Sequence, residues 1–336
     1  MQNMDNRKDM RPLLLVSYGA PEQSEEVVPF LNNLFAGKNV SAERRAAAAQ
    51  KYERFAEKNG HYSPLNSECR KLIDGIKHLA PDLPIYWGNL FWHPLLVDTI
   101  AEMAAAGIKR AVCFATSAFD SPSGNKQYSD ALESARHAIG QNAPILEKLP
   151  LPFDHPLFIE AQTNRLLETM RAGSVGDHCS SRIVQRADPA ATLRYTPGFD
   201  DTPAHVLFSA HSIPLTDAER SHYVEQLQSA CRSVIQKSRT SLPWDLVYQS
   251  RSGAAEHWLG PDIEEHIVEL AAWRQVESLI VSPIGFFCEN METEYDLDVE
   301  VGGRCAALGF SFHRAKAVGA MPEVCRLIVE LAENAV

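Results

Sequence analysis

Short apolar runs alternate with longer segments of helical pattern along most of this 336-residue chain. The runs are apolar on both faces, which is typical of strands buried in a parallel sheet that helices cover on both sides. The sequence therefore predicts an α/β fold built from doubly wound parallel sheets. The predicted strands are residues 13–17, 84–88, 110–116, 205–209, 245–248 and 278–282. The predicted helices are residues 24–34, 43–58, 64–79, 94–106, 127–139, 156–171, 218–238, 261–273 and 322–335.

The second half of the chain loosely repeats the first. LLLVSYGAP, which begins at Leu13, resembles VLFSAHSIP, which begins at Val206. IYWGNLFWHP, a helix and AVCFATSAF likewise resemble LVYQSRSGAAEHWLGP, a helix and LIVSPIGFF. We therefore predict two similar doubly wound domains, 11–155 and 156–336, the second of which includes a connecting helix and a polar linker at 173–202.

The composition excludes several classes of protein. A net charge of −11 argues against nucleic acid as a partner, because surfaces that bind nucleic acid are basic. No apolar run approaches the roughly 20 residues that cross a bilayer, so firm membrane anchoring is not expected. The N-terminal residues MQNMDNRKDMRP lack the apolar core of a secretion signal, which favours a cytoplasmic protein. Seven scattered cysteines without a CxxC pair favour neither a disulfide framework nor a cysteine metal cluster.

Polar or glycine-containing motifs follow the predicted strands. These motifs are residues 17–19, 89–93, 117–123, 209–212, 249–253 and 285–292. Because ligands of open parallel sheets bind beyond the carboxyl ends of the strands, the motifs predict one ligand cleft between the two halves. None of them has the GxGxxG or GxxxxGK[ST] spacing of phosphate-binding loops, so a nucleotide is a disfavoured ligand.

His211 and Glu292 carry the clearest chemical signal. Both follow apolar runs, and Glu292 begins a segment with further carboxylates at Asp296 and Glu300. Residues four apart are neighbours on a helix, so the three carboxylates would share one helix face. An imidazole and a row of carboxylates in a cleft suit proton transfer or the binding of a divalent metal. A structural histidine and a solvated helix face are the alternatives.

Six segments, in their order along the chain, resemble those of ferrochelatases. They are LLLVSYGAP, GHYSPLN, the helix-and-strand block from Trp87 to Ala115, SAHSIP, QSRSGAAEHWLGPDI and SPIGFFCENMETEYDLDVE. The resemblance implies two Rossmann-like domains around a porphyrin cleft, and insertion of Fe(II) into a porphyrin to make haem or its precursor. The partners would be a porphyrin and ferrous iron. Coproporphyrin III is favoured over protoporphyrin IX, because Tyr18 matches a tyrosine of the short enzymes of Gram-positive bacteria.

The resemblance also implies roles for particular residues. His211 and Glu292 match catalytic positions, and together with Asp296 and Glu300 they form the predicted metal set. The predicted substrate-binding residues are Tyr18, Ser63, Gln127, Tyr128, Gln249, Ser250 and Trp258. The cations that are nearest to the positions where some relatives hold porphyrin propionates are Lys38, Arg44 and Arg45.

The chain departs from the family beside Glu292. Family members commonly have a histidine where this chain has Asn290, and often an aspartate where it has Glu289. Both residues are predicted to support the catalytic glutamate. Asn290 cannot exchange a proton as imidazole does, although it can replace a histidine that only forms a hydrogen bond with the glutamate. A non-catalytic haem- or porphyrin-binding protein on the same fold is therefore one alternative. A related tetrapyrrole chelatase that uses another metal is a second.

The resemblance implies Fe(II) as a substrate and no permanently bound cofactor. The cysteine-bearing C-terminal extension of the animal enzymes has no counterpart here, so we expect no iron–sulfur cluster. The acidic face of residues 292–300 offers a further place for a divalent cation. A monomer is the favoured state.

Overall fold

The computed structural model describes residues 11–173, 203–251, 257–273 and 275–335. Apart from Gly173, the predicted linker at 173–202 lies outside the described residues. None of the helices within these ranges is long and apolar enough to cross a membrane.

The first half of the chain forms a four-stranded parallel sheet with the strand order β2-β1-β3-β4. Its strands are β1 (Leu13–Ser17), β2 (Ile85–Asn89), β3 (Arg110–Ala115) and β4 (Ile145–Lys148). Its helices are α1 (Ser24–Leu34), α2 (Ala42–Asn59), α3 (Leu65–Leu79), α4 (Leu96–Ala105) and α5 (Gln127–Ile139), and a π-helical turn at Pro122–Lys126 leads into α5.

The second half forms another four-stranded parallel sheet, with the equivalent order β6-β5-β7-β8. Its strands are β5 (Ala204–His211), β6 (Trp244–Gln249), β7 (Ser278–Ser282) and β8 (Ser311–Arg314). Its helices are α6 (Pro156–Gly173), α7 (Leu215–Ala218), α8 (Tyr223–Ser238), α9 (Ile263–Trp273), the π-helix Glu292–Val301, α10 (Gly302–Leu308) and α11 (Pro322–Asn334). The predicted α/β class and the repeat of two doubly wound halves are confirmed.

The repeat extends to the loops that follow β2 and β6. The N–H of Asn89 donates to the carbonyl of Pro94 at 2.7 Å, and the N–H of Tyr248 donates to the carbonyl of Pro261 at 2.9 Å. Each proline lies shortly before the helix that crosses back over its sheet. The motifs that the sequence pairs therefore occupy the same place in both halves.

The central strands form where the sequence predicts them because both of their faces are buried. In β1, Leu13 and Leu15 join the core cluster that includes residues of α3, α6 and α11, whereas Leu14 and Val16 join the cluster beneath α4 and α5. All four side chains are 0% exposed. Helices on both faces of a parallel sheet produce this pattern.

The edge strands β4 and β8 were not among the predicted strands. Each pairs with one neighbour only, β4 with β3 and β8 with β7. Their sequences, ILEK and SFHR, are four residues long, and each carries polar side chains. Short edge strands need no continuous apolar run, so the apolar pattern that identifies the central strands does not find them.

The C-terminal helix packs against elements of both halves. α11 contacts α3 of the first half and α6 of the second. A Cβ placed on Gly75 would lie 2.5 Å from the Sγ atom of Cys325, so α3 approaches α11 closely at a glycine. The division into domains at 155 and 156 stays a prediction.

Two histidines share one carboxylate near the amino ends of β5 and β6. His205 Nε2 lies 2.8 Å from Asp245 Oδ2, and His266 Nε2 lies 2.9 Å from the same oxygen. Burial lowers the pKa of His205, the nearby charge of Asp245 opposes that effect, and His266 adds to it.

The sign of this pKa shift predicts how His205 affects stability as the pH changes. Below about pH 6.5 the unfolded chain binds a proton at this histidine that the folded chain resists, so stability falls as the pH falls. His205→Gln keeps a hydrogen-bonding group and removes the titration. We expect the difference in Tm, variant minus unsubstituted protein, to be more positive at about pH 5.5 than at about pH 7.5. The same difference at both pH values would contradict this account.

Candidate active site

A cleft of about 920 Å³ lies where the carboxyl ends of the strands from both halves meet. Tyr18, Thr116 and Ser117 line it from the first half, and His211 and Gln249 line it from the second. Its volume is at the upper end of that of small-molecule pockets, which suits a large flat ligand. The cleft therefore lies where the sequence motifs predict it.

His211 is the last residue of β5 and reaches into this cleft. Its Nδ1 atom lies 2.5 Å from the carbonyl oxygen of Ser212, so a proton on Nδ1 satisfies that carbonyl. The other ring nitrogen, Nε2, then has a lone pair and lies 3.7 Å from Oε1 of Glu292. That separation exceeds an ordinary hydrogen bond and leaves both atoms accessible to a ligand.

Glu292 lines the same cleft and is held there through its backbone. Its carbonyl accepts a hydrogen bond from Gln249 Nε2 at 3.3 Å, and its side chain is 41% exposed. Burial raises the pKa of Glu292, and the Asp296 carboxylate raises it further, while His211 and Lys51 oppose the change. A carboxylate whose pKa is raised in this way accepts a proton more readily than an ordinary carboxylate.

Tyrosine hydroxyls occur around the same cleft. Tyr18 packs its ring against Phe91, with centroids 4.6 Å apart, and Tyr128 OH lies 3.3 Å from Thr116 Oγ1. Burial raises the pKa of Tyr18, Tyr52 and Tyr128, so all three are neutral phenols at neutral pH. Tyr18 therefore faces a ligand as a hydroxyl, and as a phenolate only if a bound metal removes its proton.

The acidic row, which is Glu292, Asp296 and Glu300, lies on a π-helix and not on the expected α-helix. Hydrogen bonds from residue i to i+5 make a wider turn, but residues four apart remain neighbours. The row runs from Glu292 in the cleft to the exposed Glu300. The alternative of a solvated helix face applies to the exposed Glu300. It does not apply to Asp296, which is only 6% exposed.

Asp296 is fully engaged in the middle of the row. Its Oδ1 atom lies 2.5 Å from Lys51 Nζ on α2, and its Oδ2 atom accepts a hydrogen bond from Ser250 Oγ. Burial disfavours the Lys51 ammonium, but the negative charges of Asp296, Glu300 and Glu292 raise the pKa of Lys51 above its ordinary value. The ammonium is therefore the positive charge at the centre of the acidic row.

Lys51 is the main site residue that the sequence reasoning missed. Arg44, Ala48 and Lys51 follow the i, i+4, i+7 spacing of one helix face, and all three line the cleft. That spacing was the available signal. Of the predicted propionate-binding cations, Arg44 is in the cleft wall, whereas Arg45 turns towards the carbonyl of Val40.

No group of three or more histidine, cysteine, aspartate or glutamate side chains within the described ranges is arranged to hold a metal ion. The engagement of Asp296 with Lys51 and Ser250 explains this for the acidic row. The metal set of His211, Glu292, Asp296 and Glu300 stays a prediction.

Asn290 and Glu289 position the beginning of the π-helix. Asn290 Oδ1 accepts from the N–H of Thr293 at 3.0 Å, and Thr293 Oγ1 accepts from the N–H of Asn290 at 3.0 Å. This reciprocal pair is a capping interaction. Glu289 is buried and accepts hydrogen bonds from Arg314, Thr293 and the N–H of Ala317. Both residues therefore act on Glu292 through the helix that carries it.

The other predicted substrate-binding residues divide into two groups. Ser63, Tyr128, Gln249 and Ser250 line the cleft, whereas Gln127 and Trp258 are not part of its wall. Gln249 Oε1 is buried without a hydrogen-bond partner among the described residues, so it offers an acceptor at the wall of the cleft.

Comparison with known proteins decides the family. The model of the ferrochelatase family matches residues 11–336. The chain belongs to the ferrochelatase family. It is 40% identical over 334 residues to the coproporphyrin III ferrochelatase of Frankia alni, covering 96% of this chain and 79% of that protein. It is 38% identical over 326 residues to the ferrochelatase of Rhodopirellula baltica, covering 96% and 85%. The family predicted from the motifs is confirmed.

A solved structure shows a weaker likeness. The cobalt complex of the sirohydrochlorin chelatase SirB from Bacillus subtilis subspecies spizizenii aligns over 97% of this chain and 96% of its own, with 12% identity and a TM-score of 0.49. At this level the likeness adds nothing about function.

The capping role of Asn290 predicts how substitutions change stability. Asn290→Ala removes the acceptor for the Thr293 N–H and should lower the free energy of unfolding by about 1 kcal/mol. Asn290→Asp keeps an acceptor and should stay close to the unsubstituted protein. Urea denaturation followed by circular dichroism measures both. An equal loss in the two variants would show that the Asn290 side chain does not cap the helix.

Proposed function

We propose that this protein inserts Fe(II) into a porphyrin, with coproporphyrin III as the preferred substrate. The observation that carries the proposal is the approach of His211 Nε2 to Glu292 Oε1 at 3.7 Å on the wall of a large cleft. Metal insertion requires the removal of two protons from pyrrole nitrogens and the delivery of a dehydrated metal to the ring. An imidazole and a carboxyl group that face the same space supply these functions.

His211 and Glu292 have complementary roles in this proposal. The Nδ1 contact of His211 with Ser212 leaves Nε2 as the proton acceptor that faces the ligand. Glu292 takes the second proton or holds the iron by its carboxylate, because oxygen and imidazole ligands bind Fe(II) without the tight retention of a thiolate site. The acidic row gives the metal a path from the surface at Glu300 towards Glu292.

Support for coproporphyrin III comes from the relatives and from the cleft wall. Relatives from Frankia alni and Nocardia farcinica are named coproporphyrin III ferrochelatases. Coproporphyrin III carries four propionates where protoporphyrin IX carries two. Arg44 and Arg251 in the wall are cations that suit carboxylates. Protoporphyrin IX is the second candidate substrate.

The same proposal includes a cytoplasmic monomer without a permanently bound cofactor or iron–sulfur cluster. The six described cysteines are free and buried. The further divalent cation at the acidic face is also a proposal, supported by the exposed carboxylate of Glu300.

Isosteric substitutions test the catalytic pair. His211→Asn and Glu292→Gln should each lower kcat/KM for Fe(II) insertion by about 10²- to 10⁴-fold, because each removes one proton acceptor. Anaerobic loss of porphyrin fluorescence, with coproporphyrin III and protoporphyrin IX in separate assays, measures the rate.

An exposed histidine–glutamate pair provides the control. His222 Nδ1 lies 3.2 Å from Glu225 Oε2, and the two side chains are 74% and 82% exposed. His222→Asn and Glu225→Gln should retain activity. Porphyrin binding without turnover in the unsubstituted protein would contradict the enzyme proposal and leave a porphyrin-binding protein.

Tyr18 tests the substrate preference. Tyr18→Met replaces a neutral phenol with an apolar, flexible side chain that suits vinyl groups better than propionate-bearing rings. The ratio of kcat/KM for coproporphyrin III over protoporphyrin IX should fall by about tenfold, the size of one changed contact. Tyr18→Phe keeps the ring against Phe91 and separates the effect of the hydroxyl. An unchanged ratio in both variants would exclude Tyr18 as the residue that selects the porphyrin.

A further inference from the structure

Lys51 connects the two halves of the molecule across the acidic row. It lies on α2 in the first half, and Asp296 lies on the π-helix of the second. The Lys51 and Asp296 side chains are 31% and 8% exposed, so their ion pair is only partly open to solvent. Lys51 Nζ also lies 4.6 Å from the centroid of the Tyr295 ring.

Both carboxylate oxygens of Asp296 are engaged while this pair exists. Lys51 occupies Oδ1 and Ser250 occupies Oδ2. A divalent ion that moves along the row from Glu300 to Glu292 therefore meets a carboxylate whose charge is already compensated. To gain Asp296 as a ligand, the ion has to displace the ammonium.

We propose that Lys51 is a positioning residue that acts as an exchangeable counter-ion in the acidic row and so limits how tightly the row binds Fe(II). This inference rests on the proposed function. The ammonium competes with the metal for Asp296, because two cations cannot share one carboxylate without repulsion. Weak binding in the row lets the metal pass on to Glu292 and His211.

The Tyr295 ring offers the displaced ammonium a nearby cation–π contact. A cation over an aromatic face is stabilised without a counter-ion, and Lys51 is already within the range of such a contact. The exchange thus needs only a rotation of the lysine side chain, with no movement of α2.

A different role for Lys51 is the direct binding of a porphyrin carboxylate. Lys51 lines the same cleft as His211, so it is within the surface that a porphyrin would contact. The two roles differ in what they require. A counter-ion affects metal binding when no porphyrin is present, whereas a porphyrin ligand affects only porphyrin binding.

Binding of Mn²⁺ to the porphyrin-free protein separates these roles. Mn²⁺ prefers oxygen ligands, and its free concentration is read from its electron paramagnetic resonance signal. Lys51→Met should tighten Mn²⁺ binding by about tenfold, because the competing charge is lost. Lys51→Arg should restore the affinity of the unsubstituted protein. Adding Asp296→Asn to Lys51→Met should abolish the gain.

Lys71→Met is the matched control for the loss of one positive charge. Lys71 pairs with Glu68 at 2.8 Å on the surface, where its side chain is 63% exposed. The Lys71→Met variant should bind Mn²⁺ with the affinity of the unsubstituted protein. Equal Mn²⁺ affinities in Lys51→Met and Lys71→Met would overturn the counter-ion role.

Steady-state kinetics give a second readout. Lys51→Met should lower KM for Fe(II) and lower kcat, because the metal is held more tightly before transfer, and it should leave KM for the porphyrin unchanged. A raised porphyrin KM with unchanged Mn²⁺ affinity would identify Lys51 as a porphyrin ligand and reject the inference. Failure of the unsubstituted protein to turn over would reject the proposed function, while the Mn²⁺ result would still test the charge competition.

Discussion

The buried carboxylate of Glu289 fixes the part of the molecule on which the candidate active site depends. Arg314 of β8 donates to its two oxygens at 2.9 and 3.0 Å and reaches Asp298 through Nε at 2.5 Å. The Arg314 guanidinium thus binds Glu289, just before the π-helix, and Asp298, within it. Removing one member of such a buried pair leaves an uncompensated charge and typically costs ~3–5 kcal/mol. Glu292 lies between these two anchors, so they fix the backbone that carries its carboxylate.

The sequence is sufficient to predict the central strands, and therefore the location of the cleft. β1, β5 and β7 are buried on both faces, and strands of this kind have a continuous apolar run in the sequence. The ends of these runs place His211 and Glu292 correctly at one edge. The edge strand β8 lacks such a run, so the ion pair of Arg314 with Glu289 could not be predicted from the apolar pattern.

The acidic row has features that could not be predicted from the sequence. A spacing of four residues suits an α-helix and a π-helix alike, so the spacing alone does not distinguish them. Lys51 and Asp296 are separated by 245 positions, so no local pattern pairs them. The helical spacing on α2 indicates only that Lys51 shares a face with Arg44. Its partner becomes evident when the two halves are brought together.

Asn290 bears on how protons can leave the porphyrin. Its side-chain oxygen accepts from the Thr293 N–H, and an amide, unlike an imidazole, does not titrate near neutral pH. Asn290 therefore keeps the capping interaction at the start of the π-helix while adding no proton acceptor to the cleft. In the proposed reaction Glu292 is then the acceptor for a second proton, because burial and Asp296 raise its pKa. The positive charge of Lys51, which is paired with Asp296, opposes the effect of Asp296 on the pKa of Glu292. The lysine that we propose competes with the metal therefore also influences the proton affinity of Glu292.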